Sequence, residues 1–200
     1  SIDQPWLNCD SCLDLAFNEK ILQIVYSFFS GKSLFPALGT CNLRKSNVTN
    51  HPLTGTHFFH RDQNLGDLTS TSGHFLKMFF YLNDVKLSGG PLTYVKGSHA
   101  DILENIKLKY RWTDEEIISL YGSEKIKHLE ADFGDLIVAN TTGLHKGLKI
   151  KEGNRGMLTI NWCLYPETGS NKFFVDGNRY NYMSSEEKHL CRFLRRGNKK

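Results

Sequence analysis

The spacing of apolar and polar positions changes period along this chain. Early on, "DLAFNEKILQIVYSFFS" mixes three- and four-residue apolar spacings and predicts a helix over residues 14–30, stopped by Gly31. Beyond it the runs become short. "PALGTCNLRKS", "GTHFFHRD", "HFLKMFFYLNDV", "GPLTYVKGSHA", "HLEADFGDLIVAN", "GLHKGLKI" and "RGMLTINWCLY" are rich in β-branched and aromatic residues, with Gly, Asn and Pro as punctuation. Many short strands at such spacing predict a sandwich or barrel. One helix interrupts them: in "RWTDEEIISLYG", Thr113 is placed to cap, Glu116 to complete a capping box and Gly122 to terminate. A last helix is expected over about residues 184–196, in "SSEEKHLCRFLRR". Neither a repeat, a low-complexity tract nor a linker interrupts the pattern. One domain is expected, with a mainly β core over about residues 36–165.

Composition narrows the class without changing it. At 200 residues, 40% hydrophobic and 23% charged, the chain is long enough to bury a core without staples. Its 12% aromatic share favours sheets. The five cysteines (9, 12, 41, 163 and 191) are odd in number and scattered, which argues against a disulfide framework and for a reducing compartment, so a cytoplasmic protein is expected. Cys9-x-x-Cys12 is half a zinc site with no second pair to complete it, and reads as free thiols near a helix start. The longest apolar run, "ILQIVYSFF", is too short to span a bilayer, so a membrane is not an expected partner. Much of the net charge of +4 sits in the terminal "RFLRRGNKK". Without a basic patch interleaved with stacking aromatics, nucleic acid is not an expected partner either. Oligomeric state is not legible. The chain begins at Ser1 rather than Met, which is compatible with a removed leader.

Two tripeptides suggest a protein kinase: His60-Arg61-Asp62 and Asp132-Phe133-Gly134. The spacing rejects it. A kinase loop needs an Asn five residues after its Asp, where this chain has Asp67, and the glycines before His60 are too scattered for a phosphate loop.

His60 and Asp62 therefore need another reading. On a strand they share a face, with His57 and Arg61 on the other, and an imidazole and a carboxylate converging from one strand make a two-point metal grip. His74, His99, His128, His145 and His189 are the candidates for a third ligand. His145 starts a strand-like run after a polar turn, and ten residues later Arg155 heads the last long apolar run. Two histidines and one carboxylate leave coordination positions open, as in non-haem Fe(II) oxygenases. The planar fork of an arginine suits a carboxylate cosubstrate.

At this point the sequence resembles the Fe(II)/2-oxoglutarate dioxygenases of the phytanoyl-CoA dioxygenase type. The resemblance runs from about residue 40 to 165, on "HRD", "KMFFYLNDV", "GGPLTYVKGSH", "FGDLIVANTTGLHKG" and "EGNRGMLTINW", in matching order and spacing. It implies a double-stranded β-helix, a cupin-like jelly roll with flanking helices. It also implies iron ligands at His60, Asp62 and His145, and Arg155 as partner of the far carboxylate of 2-oxoglutarate. The implied reaction consumes O2 and 2-oxoglutarate, releases succinate and CO2, and hydroxylates a small-molecule substrate. Phe133-Gly134-Asp135 becomes the turn before a core strand.

Two positions depart from the pattern. Gly147 stands where many relatives carry a hydroxyl residue two after the distal histidine, and Met157 stands where a serine is common two after the arginine. Lys77 lies on a strand apolar on both faces, so it is expected to meet an anion, either 2-oxoglutarate or an anionic substrate, and to compensate for Gly147. Arg44 is a candidate for the substrate pocket, whose walls are expected in residues 45–56 and 100–125. His99 in "KGSHA" reads as part of a structural turn, and Glu115 and Glu116 as first-turn carboxylates suited to the helix dipole. The rival reading is a non-redox cupin-like module that holds a metal for structure or sensing, which would need no carboxylate clamp. A zinc hydrolase on the same triad would need a general base that the sequence does not offer.

Overall fold

A computed structural model describes residues 1–32, 34–53, 55–62, 75–100, 109–165 and 174–197. His74 and part of the expected pocket walls, 101–108 among them, lie outside these residues. In chain order the strands are β1 (Ile2–Asp3), β2 (Ala37–Asn47), β3 (Phe75–Tyr81), β4 (Leu92–Val95), β5 (Ile126–Leu129), β6 (Leu136–Ala139), β7 (His145–Gly147), β8 (Asn154–Cys163), β9 (Phe174–Asp176) and β10 (Arg195–Gly197). The helices are α1 (Asp10–Ala16), α2 (Glu19–Phe28), α3 (Asp114–Tyr121), α4 (Gly177–Tyr182) and α5 (Ser185–Leu190). Among the described residues, no helix is long and apolar enough to cross a membrane.

Backbone contacts group the chain into two compact units. The first comprises Ser1–Arg44, His74–Phe79 and Leu158–Lys200; the second comprises Lys45–Gly73 and Phe80–Met157. In the first, β2 lies between β1 and β8, with Ile2 opposite Leu43, and β8 is followed by β3. The helix expected over 14–30 is two helices here. Phe17 closes α1, and the Asn18 side chain accepts from Lys20 N–H to cap α2, a role that suits asparagine better than a helix interior. The expected C-terminal helix is also shorter than 184–196. Ser184 and Glu187 form its capping box, but α5 ends at Leu190. Arg192 turns back to donate to the carbonyls of His189 and Pro36, and the chain then extends so that β10 pairs in parallel with β9.

The second unit carries the antiparallel sheet β5-β4-β7. On β4, Leu92 faces Leu129 of β5 and Gly147 of β7, and Tyr94 faces His145. Here too β6 flanks the end of β3: Tyr81 N–H donates to Asp135 O, and Gly134 N–H to Tyr81 O. Gly134 makes that turn with φ +87°, a left-handed conformation that glycine adopts without strain. This is the turn before a strand that the resemblance implied for Phe133-Gly134-Asp135. Helix α3 has the expected capping box of Thr113 and Glu116, with Gly122 at its end. Phe59, Val95, Trp112, Ile117 and Leu144 form one buried cluster, with Tyr121 and Ile126 packed against it. Two of its members, Phe59 and Leu144, immediately precede His60 and His145 in the chain.

Candidate metal centre

"GTHFFHRD" is less regular than the strand its alternation predicts. A turn of 3-10 helix spans Gly55–His57, and pairing then occurs through two single bridges. Phe59 exchanges both backbone hydrogen bonds with Trp112, and His60 exchanges both with His145. Residues that pair in this way direct their side chains to the same face of the sheet. Phe59 therefore turns into the apolar cluster, while His60 and His145 turn together to the opposite side, with ring centroids 4.4 Å apart.

Asp62 follows two residues after His60, and its N–H donates to Thr141 O. One of its carboxylate oxygens lies 3.9 Å from His60 Nε2 and the other 3.6 Å from His145 Nε2. One ligand atom from each of the three residues falls within 4.8 Å of the others. Both imidazoles are locked from behind: His60 Nδ1 is 2.9 Å from Phe58 O, and His145 Nδ1 is 2.9 Å from Gly143 O. A carbonyl only accepts, so each Nδ1 carries the proton and each Nε2 presents a lone pair to the centre. These approaches of Asp62 are not ion pairs at neutral pH, at least for His60. Burial, and then the neighbouring His145, lower its pKa from 6.5 to about 4, against the opposing pull of Phe58 O and Asp62. Two imidazoles tied through Nδ1 and facing one carboxylate make the donor set that a divalent metal requires.

The turn between β6 and β7 is braced to this site by residues that the sequence did not single out. Arg61 alternates to the face opposite His60 and donates to Thr142 O at 2.6 Å and to Ser98 O at 2.8 Å. Ser98 Oγ accepts from Leu144 N–H and donates to Val95 O, while His99 beside it is exposed. The motif "KGSHA" thus works through its serine. The Tyr94 hydroxyl donates to Asn140 O, and it lies where a Cβ on Gly143 would be, 1.9 Å away. Lys146, one residue after His145, points to the reverse face. It is buried, pairs with Asp114 at 2.5 Å and sits 4.7 Å over the Phe59 ring. The available signal was the alternation itself, since residues next to a metal ligand on a strand must face what holds that strand in place.

Arg155, at the start of β8, is 8% exposed and donates to Gly90 O. Gly90 has φ +73°, and a Cβ there would meet Leu148 O at 2.5 Å, so only glycine brings its carbonyl to this place. The guanidinium borders Gly147, with Arg155 Nη2 3.4 Å from where a Cβ at 147 would stand. A serine's Cβ would have made van der Waals contact with the arginine there. Met157 instead packs on the cluster of Tyr81, Val85 and Ala131. Lys77 is half-buried on β3 and Arg44 exposed on β2, both in the first unit. His128 bonds Thr93 Oγ1 through its Nδ1, and His189 meets the Phe35 ring edge-on. All five cysteines are thiols.

Comparison with known proteins agrees with this centre. Residues 8–153 match the family described as phytanoyl-CoA dioxygenase (PhyH). The chain belongs to that family. No curated protein matches the sequence. Among solved structures, EctD from S. alaskensis, with bound Fe, aligns with a TM-score of 0.64 at 14% identity, over 84% of this chain and 58% of its own. HygX from Streptomyces hygroscopicus, with nickel and 2-oxoglutarate bound, aligns with a TM-score of 0.57 at 18% identity, over 87% and 73%. SnoN, a non-heme α-ketoglutarate-dependent epimerase from nogalamycin biosynthesis, aligns with a TM-score of 0.56 at 17% identity, over 80% and 59%. At such identities the likeness concerns the fold, which is the expected double-stranded β-helix. The chain spans less than two thirds of the length of SnoN and of EctD.

Proposed function

We propose that the chain is an Fe(II)- and 2-oxoglutarate-dependent oxygenase that hydroxylates a small molecule. The observation that carries this reading is the pair of Nδ1-locked histidines whose Nε2 atoms converge on Asp62. Two neutral nitrogens and one carboxylate on one side of a metal leave its other positions to cosubstrate and O2, whereas a structural site closes its shell. His60, Asp62 and His145 would hold the iron. Arg155, already oriented by Gly90 O and bordering Gly147, would take the far carboxylate of 2-oxoglutarate. When bound, iron and 2-oxoglutarate supply the oxidising chemistry, with release of succinate and CO2. The protein's part is to aim both Nε2 atoms at the metal, orient the carboxylates and hold the substrate C–H within reach. Lys77 and Arg44 remain candidates for anion and substrate contacts respectively.

The choice of hydroxylation over halogenation rests on Asp62. A retained carboxylate ligand leaves no place for a halide, and insertion of oxygen into a C–H bond is the simplest outcome of the implied chemistry. The test begins without O2. Wild-type protein with Fe(II) and 2-oxoglutarate should develop the weak visible charge-transfer band of the chelate, and Asp62→Ala should lose it. Folded, iron-loaded wild type with no band would sink the proposal. A substrate identified by mass spectrometry that gained no oxygen would sink hydroxylation alone.

A further inference from the structure

The backbone register around His60 places one more charged residue on the metal-facing side of the sheet. Phe59 and Trp112 exchange both backbone hydrogen bonds, at 3.0 and 2.9 Å, so the next antiparallel pair is His60 opposite Arg111. His145 flanks His60 on its other side. His145, His60 and Arg111 therefore form a row across three strand segments, and opposed residues share a face. The neighbours alternate correctly: Phe59 and Trp112 are both in the apolar cluster on the reverse side. Unlike the two histidines, Arg111 is exposed. Its positive charge is felt at His60, where it adds to the effects that lower the pKa of the imidazole.

Two acids of α3 close to it in the chain have partners of their own. Glu116 pairs with Lys109 and completes the α3 capping box, and Asp114 pairs with Lys146. Among the described residues, Arg111 donates to its own neighbour's carbonyl, Tyr110 O, which uses one of its five N–H groups. The charge balance points the same way. A metal dication with the Asp62 carboxylate, a dianionic 2-oxoglutarate and the Arg155 guanidinium add up to neutrality. Arg111 is a positive charge beyond that balance, beside the centre and open to solvent.

We propose that Arg111 is the substrate-anchoring residue of this site, and that the substrate carries an anionic group, a carboxylate or a phosphate. This rests on the oxygenase reading above and names the substrate class within it. A planar guanidinium binds either group through two parallel hydrogen bonds. Held at the edge of the histidine row, that anchor would present the rest of the molecule to the metal.

The test uses full-length protein loaded with Mn(II) and saturating 2-oxoglutarate, with three fluorinated probes: 4-fluorobenzoate, 4-fluorophenyl phosphate and neutral 4-fluorobenzyl alcohol. The readout is paramagnetic enhancement of fluorine relaxation. At least one anionic probe should show saturable enhancement, and the alcohol none. Comparing the two anions tells a carboxylate substrate from a phosphorylated one. Arg111→Gln should weaken the anion's apparent affinity about tenfold or more, the loss expected for a charged hydrogen-bonded contact, and Arg111→Lys should retain part of it. Mn(II) and 2-oxoglutarate titrations should be the same in all three proteins. Equal anion enhancement in wild type and Arg111→Gln would overturn the proposal, as would an alcohol signal as strong as the anions' or no anion signal in wild type that binds both Mn(II) and 2-oxoglutarate. Failure of wild type to bind Mn(II) or 2-oxoglutarate would instead overturn the oxygenase reading, and this inference with it.

Discussion

Replacing Arg61 with methionine should loosen the metal centre without touching a ligand. The guanidinium makes two charge-assisted bonds, to Thr142 O at 2.6 Å and Ser98 O at 2.8 Å, and so ties residues 60–62 to the turn that delivers His145. Each such bond contributes about 1.5–3 kcal/mol. Both belong to one side chain and methionine keeps the packing volume, so the combined loss should be about 2–4 kcal/mol rather than the full sum. The link to the metal runs through Gly143 O, which fixes the His145 tautomer and lies one residue beyond Thr142. Disturbing a group that orients a ligand typically costs 10–100-fold in metal affinity, and an effect transmitted through backbone belongs near the lower end, about tenfold. Urea unfolding of the metal-free protein measures the first quantity and Co(II) titration the second. Arg61→Lys, which keeps the charge but not the fork, should fall between the two. Unchanged stability in Arg61→Met would refute the brace. Lost stability with wild-type Co(II) affinity would refute its connection to the site.

Other consequences are equally specific. Arg155→Ala should weaken 2-oxoglutarate binding by about 1.5–3 kcal/mol while leaving metal affinity in place, and equal affinities by calorimetry would move the clamp elsewhere. Gly143→Ala sets a methyl group 1.9 Å from the Tyr94 hydroxyl and 2.5 Å from its ring, an overpacking that should cost about 1–3 kcal/mol in chemical denaturation, and a neutral result would show that the Tyr94 ring yields easily. In metal-free protein, the lowered pKa of His60 means that the unfolded chain binds the extra proton between about pH 6.5 and 4. This penalty is absent above pH 6.5, grows as the pH falls towards 4 and levels off below it, so His60→Gln should flatten the acid limb of the stability profile. An identical profile would show that His60 is not held neutral.

Alternation alone carried the main elements and the centre's key pair. His60 and Asp62 were legible because spacing by two is a property of any extended backbone, and "TDEEIISLYG" announced both ends of its helix through local capping chemistry. Local rules also misplaced what longer-range contacts decide. The apolar pattern over 14–30 runs through Asn18, but that side chain gains more from capping α2 than from continuing one helix. The basic run after Leu190 continues helical periodicity on paper, yet Arg192 finds carbonyls at His189 and Pro36 and the chain extends to pair with β9. By alternation the third ligand was one histidine among five; the family resemblance picked His145, and the bridge between His60 and His145 sets both rings on one face. Alternation put Arg61 and Lys146 on the reverse face but could not name what Arg61, Lys146, Ser98 or Arg111 meets, because each acts on a partner between 32 and 81 residues away or through the register of a neighbouring segment. Sequence determines which way a side chain points relative to its neighbours; only the pairing of distant segments decides what it points at.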